Sequence, residues 1–431
     1  MQIHVFCLIL LIQQNHEKMI YNIKAPQRLQ SEVSLPASKS ISNRALILQA
    51  LSFSPQPRNL SDCDDTRVLL QAFDSESNRF DIGAAGTSMR FLTAYLSKIG
   101  GLWQITGSER MKKRPIGILV DALRQCGAKI DYLENEGFPP LQIQGRALVG
   151  GEIHLKGDVS SQFISALLMI APTMRDGLTL LLEGEIISVP YIRMTLALLE
   201  RFGIRSKWEG NRIRIDAQDF QETQITVESD WSAASYWYEM ILLGDDVADK
   251  VHLKGLSENS IQGDARIADF FQQLGISTFY TKEGATISRN PDFMLPKRLE
   301  LDLSDQPDLA QTLVVSCIMK GIHFRFTGLQ SLKIKETDRI NALKQELKKV
   351  GFLLQDAENS ILYWDGEQGE AQKEIIIDTY EDHRMAMAFA PIAMQTGSIE
   401  IRNPQVVSKS YPHFWEDLSN AGFAVEPKNI E

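Results

Sequence analysis

The sequence predicts an α/β protein of two domains, each made of three repeated α/β folding units around buried parallel helices. Three observations carry that expectation. The chain has 431 residues, more than one hydrophobic core usually serves. A glycine-terminated helical pattern recurs five times, and a second series of apolar helices with polar openings interleaves with it.

The first series is Leu123-Arg-Gln-Cys-Gly127, Leu199-Glu-Arg-Phe-Gly203, Phe271-Gln-Gln-Leu-Gly275, Leu347-Lys-Lys-Val-Gly351 and Leu418-Ser-Asn-Ala-Gly422, with glycines 76, 72, 76 and 71 residues apart. Ile116, Leu119, Val120 and Leu123 have helical spacing, as do Ile267, Phe270, Phe271 and Leu274. Glycine stops such a helix because it accepts the left-handed conformation past the last turn. The second series opens at Ser38-Lys-Ser40, Ala85-Gly-Thr87, Ser160-Ser-Gln162, Trp231-Ser-Ala233, Pro307-Asp308 and Asp382-His383. The helices that follow are apolar all round and belong in a core. Between them lie strand-like stretches such as Leu178 to Leu182 and Glu374 to Ile377. A unit of about seventy-five residues is too large for a solenoid repeat. Six buried helices against five glycine-terminated ones imply that the two chain ends share one module. The expected division is 1–36, an extension and strand joining the C-terminal domain, then 37–228 and 229–431.

Composition narrows the chemistry. Apolar residues are 44% and charged residues 23%, an ordinary soluble balance. A net charge of -10 argues against nucleic acid as the main partner. Cys7, Cys63, Cys126 and Cys317 form no CxxC pair, so neither a zinc site nor a disulfide framework is expected. Val5 to Ile12 is apolar but lacks the basic flank and cleavage site of a signal peptide and is too short to span a bilayer. Translation starting at Met19, or a disordered extension, are both compatible with it. No G-x-x-x-x-G-K-[ST], G-x-G-x-x-G or H-E-x-x-H occurs.

The helix openings are where ligands are expected. Helix N-termini present unsatisfied N–H groups and a positive dipole end. Lys39, Ser40 and Arg44 stand at the first opening; Ser160, Ser161 and Gln162 at the third; Asp308 at the fifth; Asp382, His383 and Arg384 at the sixth. Arg110, Arg114, Lys335 to Arg339 and Lys409 lie outside them. Singly, each is a surface charge, a cap or a structural histidine as readily as a site. Converging, they would be cations around a few carboxylates, suited to substrates carrying phosphate and carboxylate.

At these residues the chain resembles the enolpyruvyl transferase family, in the branch acting on shikimate 3-phosphate. The resemblance runs from about Leu35 to Leu418 through LPASKSISNRALILQAL, AAGTSMRFL, RMKKRPIGILVDALRQCGA, SSQFISALLM, SVPYIRMTL, PDLAQT, IKETDRI, DHRMAMAF and KSYPHF. It implies an inside-out α/β barrel in two domains with a cleft between them. It also implies transfer of the enolpyruvyl group of phosphoenolpyruvate to the 5-hydroxyl of shikimate 3-phosphate, with release of phosphate. By motif match, Lys39, Ser40, Arg44, Ser160, Ser161, Gln162, Ser188, Tyr191, Asp308 and Lys335 would hold shikimate 3-phosphate. Lys39, Gly86, Arg114, Gln162, Arg339, Arg384 and Lys409 would hold phosphoenolpyruvate. Asp308 and Glu336 would move protons, helped by Lys39 or His383. The resemblance further implies no cofactor or metal, a cytoplasmic monomer, and no nucleic acid or membrane partner.

Four positions depart from the commoner family pattern: Ala84, Phe91, Trp231 and Ser331. They put substrate affinity and glyphosate sensitivity in question. Two rivals stay open: a sister transferase acting on a UDP-sugar through a reactive cysteine, and an inactive relative that only binds shikimate phosphates.

Overall fold

A computed structural model describes residues 19–244, 246 and 249–429. Cys7 and the apolar run Val5 to Ile12 lie outside the described residues. The described chain separates into two compact units. One comprises the chain up to Pro36, Ser229–Ser260 and Asp264 onward; the other comprises Ala37–Glu228 with Ile261–Gly263.

Each unit is built on three of the apolar helices. In the second unit these are Lys39–Ser52, Gly86–Lys98 and Ser161–Ile170; in the first, Trp231–Leu243, Ala310–Met319 and His383–Phe389. They are buried on every side: every residue of Trp231–Leu243 except Ser232 is buried. Each fully buried leucine, isoleucine or phenylalanine contributes roughly 1.5–3 kcal/mol to the fold. Three of these helices are capped by a side chain at the opening. Asp230 accepts from Ala233 N–H at 3.1 Å, Asp382 from Arg384 N–H at 2.9 Å and Ser160 from Gln162 N–H at 3.4 Å. At the fifth opening Pro307–Leu309 forms a 3₁₀ turn that leads into the helix.

Among the described residues five four-stranded sheets accompany the helices. All share one pairing rule: an outer strand runs parallel to its neighbour and the remaining pairs are antiparallel. Alternation of buried and exposed residues, as in Gly151–Lys156, turns one face of each strand to the helices. The repeat read from the sequence is therefore a structural repeat. Met19–Lys24 pairs with Ser398–Arg402 and with Ala424–Asn429 in one sheet.

The glycine-terminated helices are Gly117–Gln125, Val189–Arg201, Ile267–Gln272, Arg339–Lys349 and Phe414–Asn420. Gly127, Gly203, Gly275, Gly351 and Gly422 all have φ between 80° and 99°, the conformation expected of them. Two local expectations need correction. The helix before Gly127 ends at Gln125, so Cys126 follows the helix instead of lying in it. Of the stretch Glu374 to Ile377, only Ile376–Ile377 pairs as strand.

Candidate active site

In the unit formed by Ala37–Glu228, Arg44 joins three helices. Its guanidinium donates to the Ser40 carbonyl at 2.9 Å, to Ser165 Oγ at 2.9 Å and to Thr195 Oγ1 at 2.8 Å. It also lies 5.3 Å from the centre of the Phe91 ring and 5.9 Å from that of Tyr191. Burial draws it down to about 10, which still leaves it charged at neutral pH. Phe91, a departure from the family pattern, thus forms one wall of the Arg44 pocket. Sequence reasoning missed Ser165 and Thr195, whose hydroxyls signal nothing until the helices meet.

The other expected residues of this unit gather at helix openings. Gln162 Nε2 donates to Thr87 Oγ1 at 3.2 Å, linking the second and third openings. Ser188 starts the helix bearing Tyr191 and holds φ 55°, the left-handed region unusual for serine. Such strain recurs where a side chain must be aimed at a ligand. Lys39 Nζ lies 4.0 Å from Asp65 Oδ2, and this buried carboxylate was also missed. A Cβ built on Gly86 would stand 2.5 Å from Arg114 Nη1. Glycine is therefore what lets the Arg114 guanidinium lie against this turn.

In the other unit the expected charges form one network. Asp308 Oδ1 takes Arg339 Nη1 at 3.0 Å and has Lys335 Nζ at 3.6 Å, while Oδ2 takes Arg384 Nη2 at 3.0 Å. Glu336 bridges Arg339 Nη2 at 2.9 Å and Lys409 Nζ at 3.1 Å. Beneath them Asp382, fully buried, receives Arg339 Nε at 2.7 Å. The same carboxylate caps the helix that carries His383 and Arg384. His383 is buried, with Nδ1 3.6 Å from Asp382 Oδ1. Tyr236 OH accepts from Arg384 Nη1 at 3.4 Å. Arg110 is exposed.

The electrostatics follow from that geometry. Burial opposes charge on Asp308, but Arg384, Lys335 and Arg339 outweigh it and hold the carboxyl well below its ordinary value. Burial lowers Lys335, with Asp308 opposing. Arg339 is buried, which disfavours its charge, yet Asp382, Glu336 and Asp308 together raise it. The result is an ionised carboxylate held by cations that can also face an anion. Among the described residues no group of three or more His, Cys, Asp or Glu is placed to hold a metal ion, and no helix is long and apolar enough to cross a membrane. Cys126 is fully buried, and burial pushes its thiol up to about 11. A reactive cysteine needs a depressed value and access, so this thiol does not support the UDP-sugar alternative.

Comparison with known proteins identifies the relatives of this chain. The family model described as EPSP synthase (3-phosphoshikimate 1-carboxyvinyltransferase) matches residues 23–79 and 71–418. A 3-phosphoshikimate 1-carboxyvinyltransferase of Bacteroides fragilis (strain ATCC 25285) is 56% identical over 410 residues, covering 95% of this chain and 99% of that protein. One of Sulfurovum sp. (strain NBC37-1) is 35% identical over 428 residues, covering 92% and 98%. The solved structure of EPSP synthase from Acinetobacter baumannii superposes with a TM-score of 0.76 at 22% identity, covering 95% of this chain and 100% of that one. The fold is thus shared with a solved enzyme, and the sequence match extends over nearly the whole length: the chain belongs to the EPSP synthase family.

Proposed function

We propose that the Arg44 cluster binds substrate and that the Asp308–Arg339–Arg384–Lys335 network does the proton transfer. As a member of its family the chain is an enolpyruvyl transferase of the shikimate pathway. It moves the enolpyruvyl group of phosphoenolpyruvate to the 5-hydroxyl of shikimate 3-phosphate and releases phosphate. The observation that carries the assignment of roles is the carboxylate of Asp308 within 3.0–3.6 Å of three cations, one residue into the turn that opens a buried helix.

In this reading Ser40, Arg44, Ser160, Ser161, Gln162, Ser188, Tyr191 and Lys335 receive shikimate 3-phosphate. Lys39, Gly86, Arg114, Arg339, Arg384 and Lys409 receive phosphoenolpyruvate. The planar fork of arginine can bind two oxygens of a carboxylate or phosphate at once. The 5-hydroxyl oxygen bonds to C2 of phosphoenolpyruvate as its proton passes to Asp308, and a proton is delivered to the methylene carbon. The tetrahedral adduct then loses a proton from that carbon, and the C–O bond to phosphate breaks. Glu336, paired with Arg339 and Lys409, serves the carbon, with Lys39 or His383 assisting. Asp308 is a weak base while three cations face it. Bound anions divert the field of Arg384 and Lys335, so substrate itself raises the basicity of Asp308.

The enzyme acts as a monomer in the cytoplasm in this reading, which the family resemblance supports; elution of the purified chain as a dimer would refute the first point. The decisive measurement is phosphate release with both substrates and with each omitted in turn. Release that requires both supports the reading. A folded sample that releases none overturns it, in favour of the inactive relative.

Gly86→Ala probes the phosphoenolpyruvate assignment. The new methyl must displace the Arg114 guanidinium. KM for phosphoenolpyruvate should rise roughly tenfold, the equivalent of about 1.4 kcal/mol, with kcat changed less. An unchanged KM would remove Arg114 from that subsite.

A further inference from the structure

Asp264 is a buried carboxyl that the scheme above leaves unused. It sits in the single turn Gly263–Arg266 and is 4% exposed. Its Oδ2 meets the hydroxyl of Ser232. Its Oδ1 is buried with no hydrogen-bond partner. Ser232 lies in the first turn of the buried helix Trp231–Leu243 and is the residue of that helix left partly exposed. Tyr236, one turn along that helix from Ser232, accepts from Arg384 Nη1 at 3.4 Å, which sets Asp264 and Arg384 against the same helix. The charged groups about Asp264 are Asp308 from the turn Pro307–Leu309, Arg384 from the helix His383–Phe389, and Asp230, which caps Trp231–Leu243. Two of these are central to the candidate site. Asp264 also follows directly on Ile261–Gly263, the short segment that belongs to the other compact unit.

We infer that Asp264 is a positioning residue for this reaction: protonated, it leaves the charge of Arg384 to Asp308 and the substrate anion, and ionised, it competes with that anion. The inference rests on the reading that Arg384 receives phosphoenolpyruvate. The physical reason is a pair of carboxyls in one field. Asp308 is bonded to its cations and stays ionised. Asp264 has only a hydroxyl partner, so burial, and then the charge of Asp308, push it up to about 7, with Arg384 and Ser232 pulling the other way. Carboxyls pushed apart in this way mark a site where one member holds a proton that the other cannot.

Below about pH 7 Asp264 is neutral, and above it a second negative charge stands near Arg384 and Asp308. The test is kcat/KM for phosphoenolpyruvate from pH 6 to 9 in the wild type and Asp264→Asn. The wild type should show an alkaline limb, expressed mainly in KM and falling up to about tenfold per pH unit. Asp264→Asn should lack that limb. Ser232→Ala, which removes the hydroxyl favouring the charged form, should move the limb to higher pH. The same limb in all three proteins overturns the inference.

Thermal unfolding gives a second arm that needs no turnover. A carboxyl raised in the folded state holds a proton there that the unfolded chain has already lost. Stability therefore falls as pH rises from the ordinary carboxylate value to about 7. The wild type should lose stability relative to Asp264→Asn across that window, and parallel curves overturn the inference. Absence of phosphate release in the wild type at every pH would count against the transferase reading instead, because the unfolding arm reads Asp264 directly.

Discussion

Asp308→Asn is expected to lower turnover about a hundred- to ten-thousand-fold, the range for losing a positioned acid or base, while leaving phosphoenolpyruvate bound at least as tightly. Both halves follow from one geometry. Asp308 holds Arg339 and Arg384 at 3.0 Å each and Lys335 at 3.6 Å. Asparagine keeps the shape but removes both the proton acceptor and the internal competitor for those cations. Arg339 retains Asp382 and Glu336, so the buried arginine is not stranded and the fold should persist. Phosphate release with calorimetric binding of phosphoenolpyruvate separates the two effects. Turnover within a few-fold of wild type would remove Asp308 from the chemistry. Loss of binding together with turnover would make it a structural anchor.

The second large effect is on stability. Glu239 lies in the helix Trp231–Leu243, fully buried, with no hydrogen-bond partner for either carboxyl oxygen. Its surroundings follow from the packing of two helices. Ser235 Oγ is 3.1 Å from Thr312 Oγ1, and one turn further along each helix the charge of Glu239 reaches Cys317. The helices therefore run parallel, which turns Glu239 toward the buried Cys317 thiol. Ser316 Oγ, beside that thiol in sequence, is likewise buried without a partner.

Burial drives the Glu239 carboxyl well above its ordinary value. The folded state then keeps a proton that the unfolded state sheds once pH exceeds the usual carboxylate range. Stability must decline as pH rises from there until the folded group ionises. Glu239→Gln should flatten that decline. Glu239→Met, which also removes the unpaired polar atoms, should gain about 1–3 kcal/mol at pH 8. That gain corresponds to roughly 2–4 °C per kcal/mol in a unit of this size. Thermal unfolding from pH 5 to 8 checks both. A wild type whose midpoint does not fall with pH, or a Met variant that is less stable, would show that the carboxyl has a partner.

How much of this was legible in the chain differs by feature. Gly127, Gly203, Gly275, Gly351 and Gly422 ended helices as their positions implied, because a left-handed residue past the last turn is a local requirement. Asp382 stood in the sixth opening as a polar residue before an apolar run, and it caps that helix. What the motif did not disclose is that the same carboxylate also holds Arg339, 43 residues away in sequence. Phe91 read as a departure of uncertain effect and proved to be a wall against Arg44. Ser165, Thr195, Asp65, Asp264 and Glu239 carried no local signal. A lone polar residue reads alike whether it meets a guanidinium, a hydroxyl or nothing.

The amino-acid order alone determined the repeat, the helix openings and stops, and the inventory of charges, since each depends on backbone preferences within a few neighbouring residues. Tertiary structure decided which charges meet. Arg339 and Arg384 reach Asp308 across 31 and 76 residues of chain, and Glu239 is left without a partner. Those outcomes depend on how close-packed helices register against one another, because burial strengthens every charge interaction and penalises every unmatched polar group, and no local stretch of sequence specifies that register.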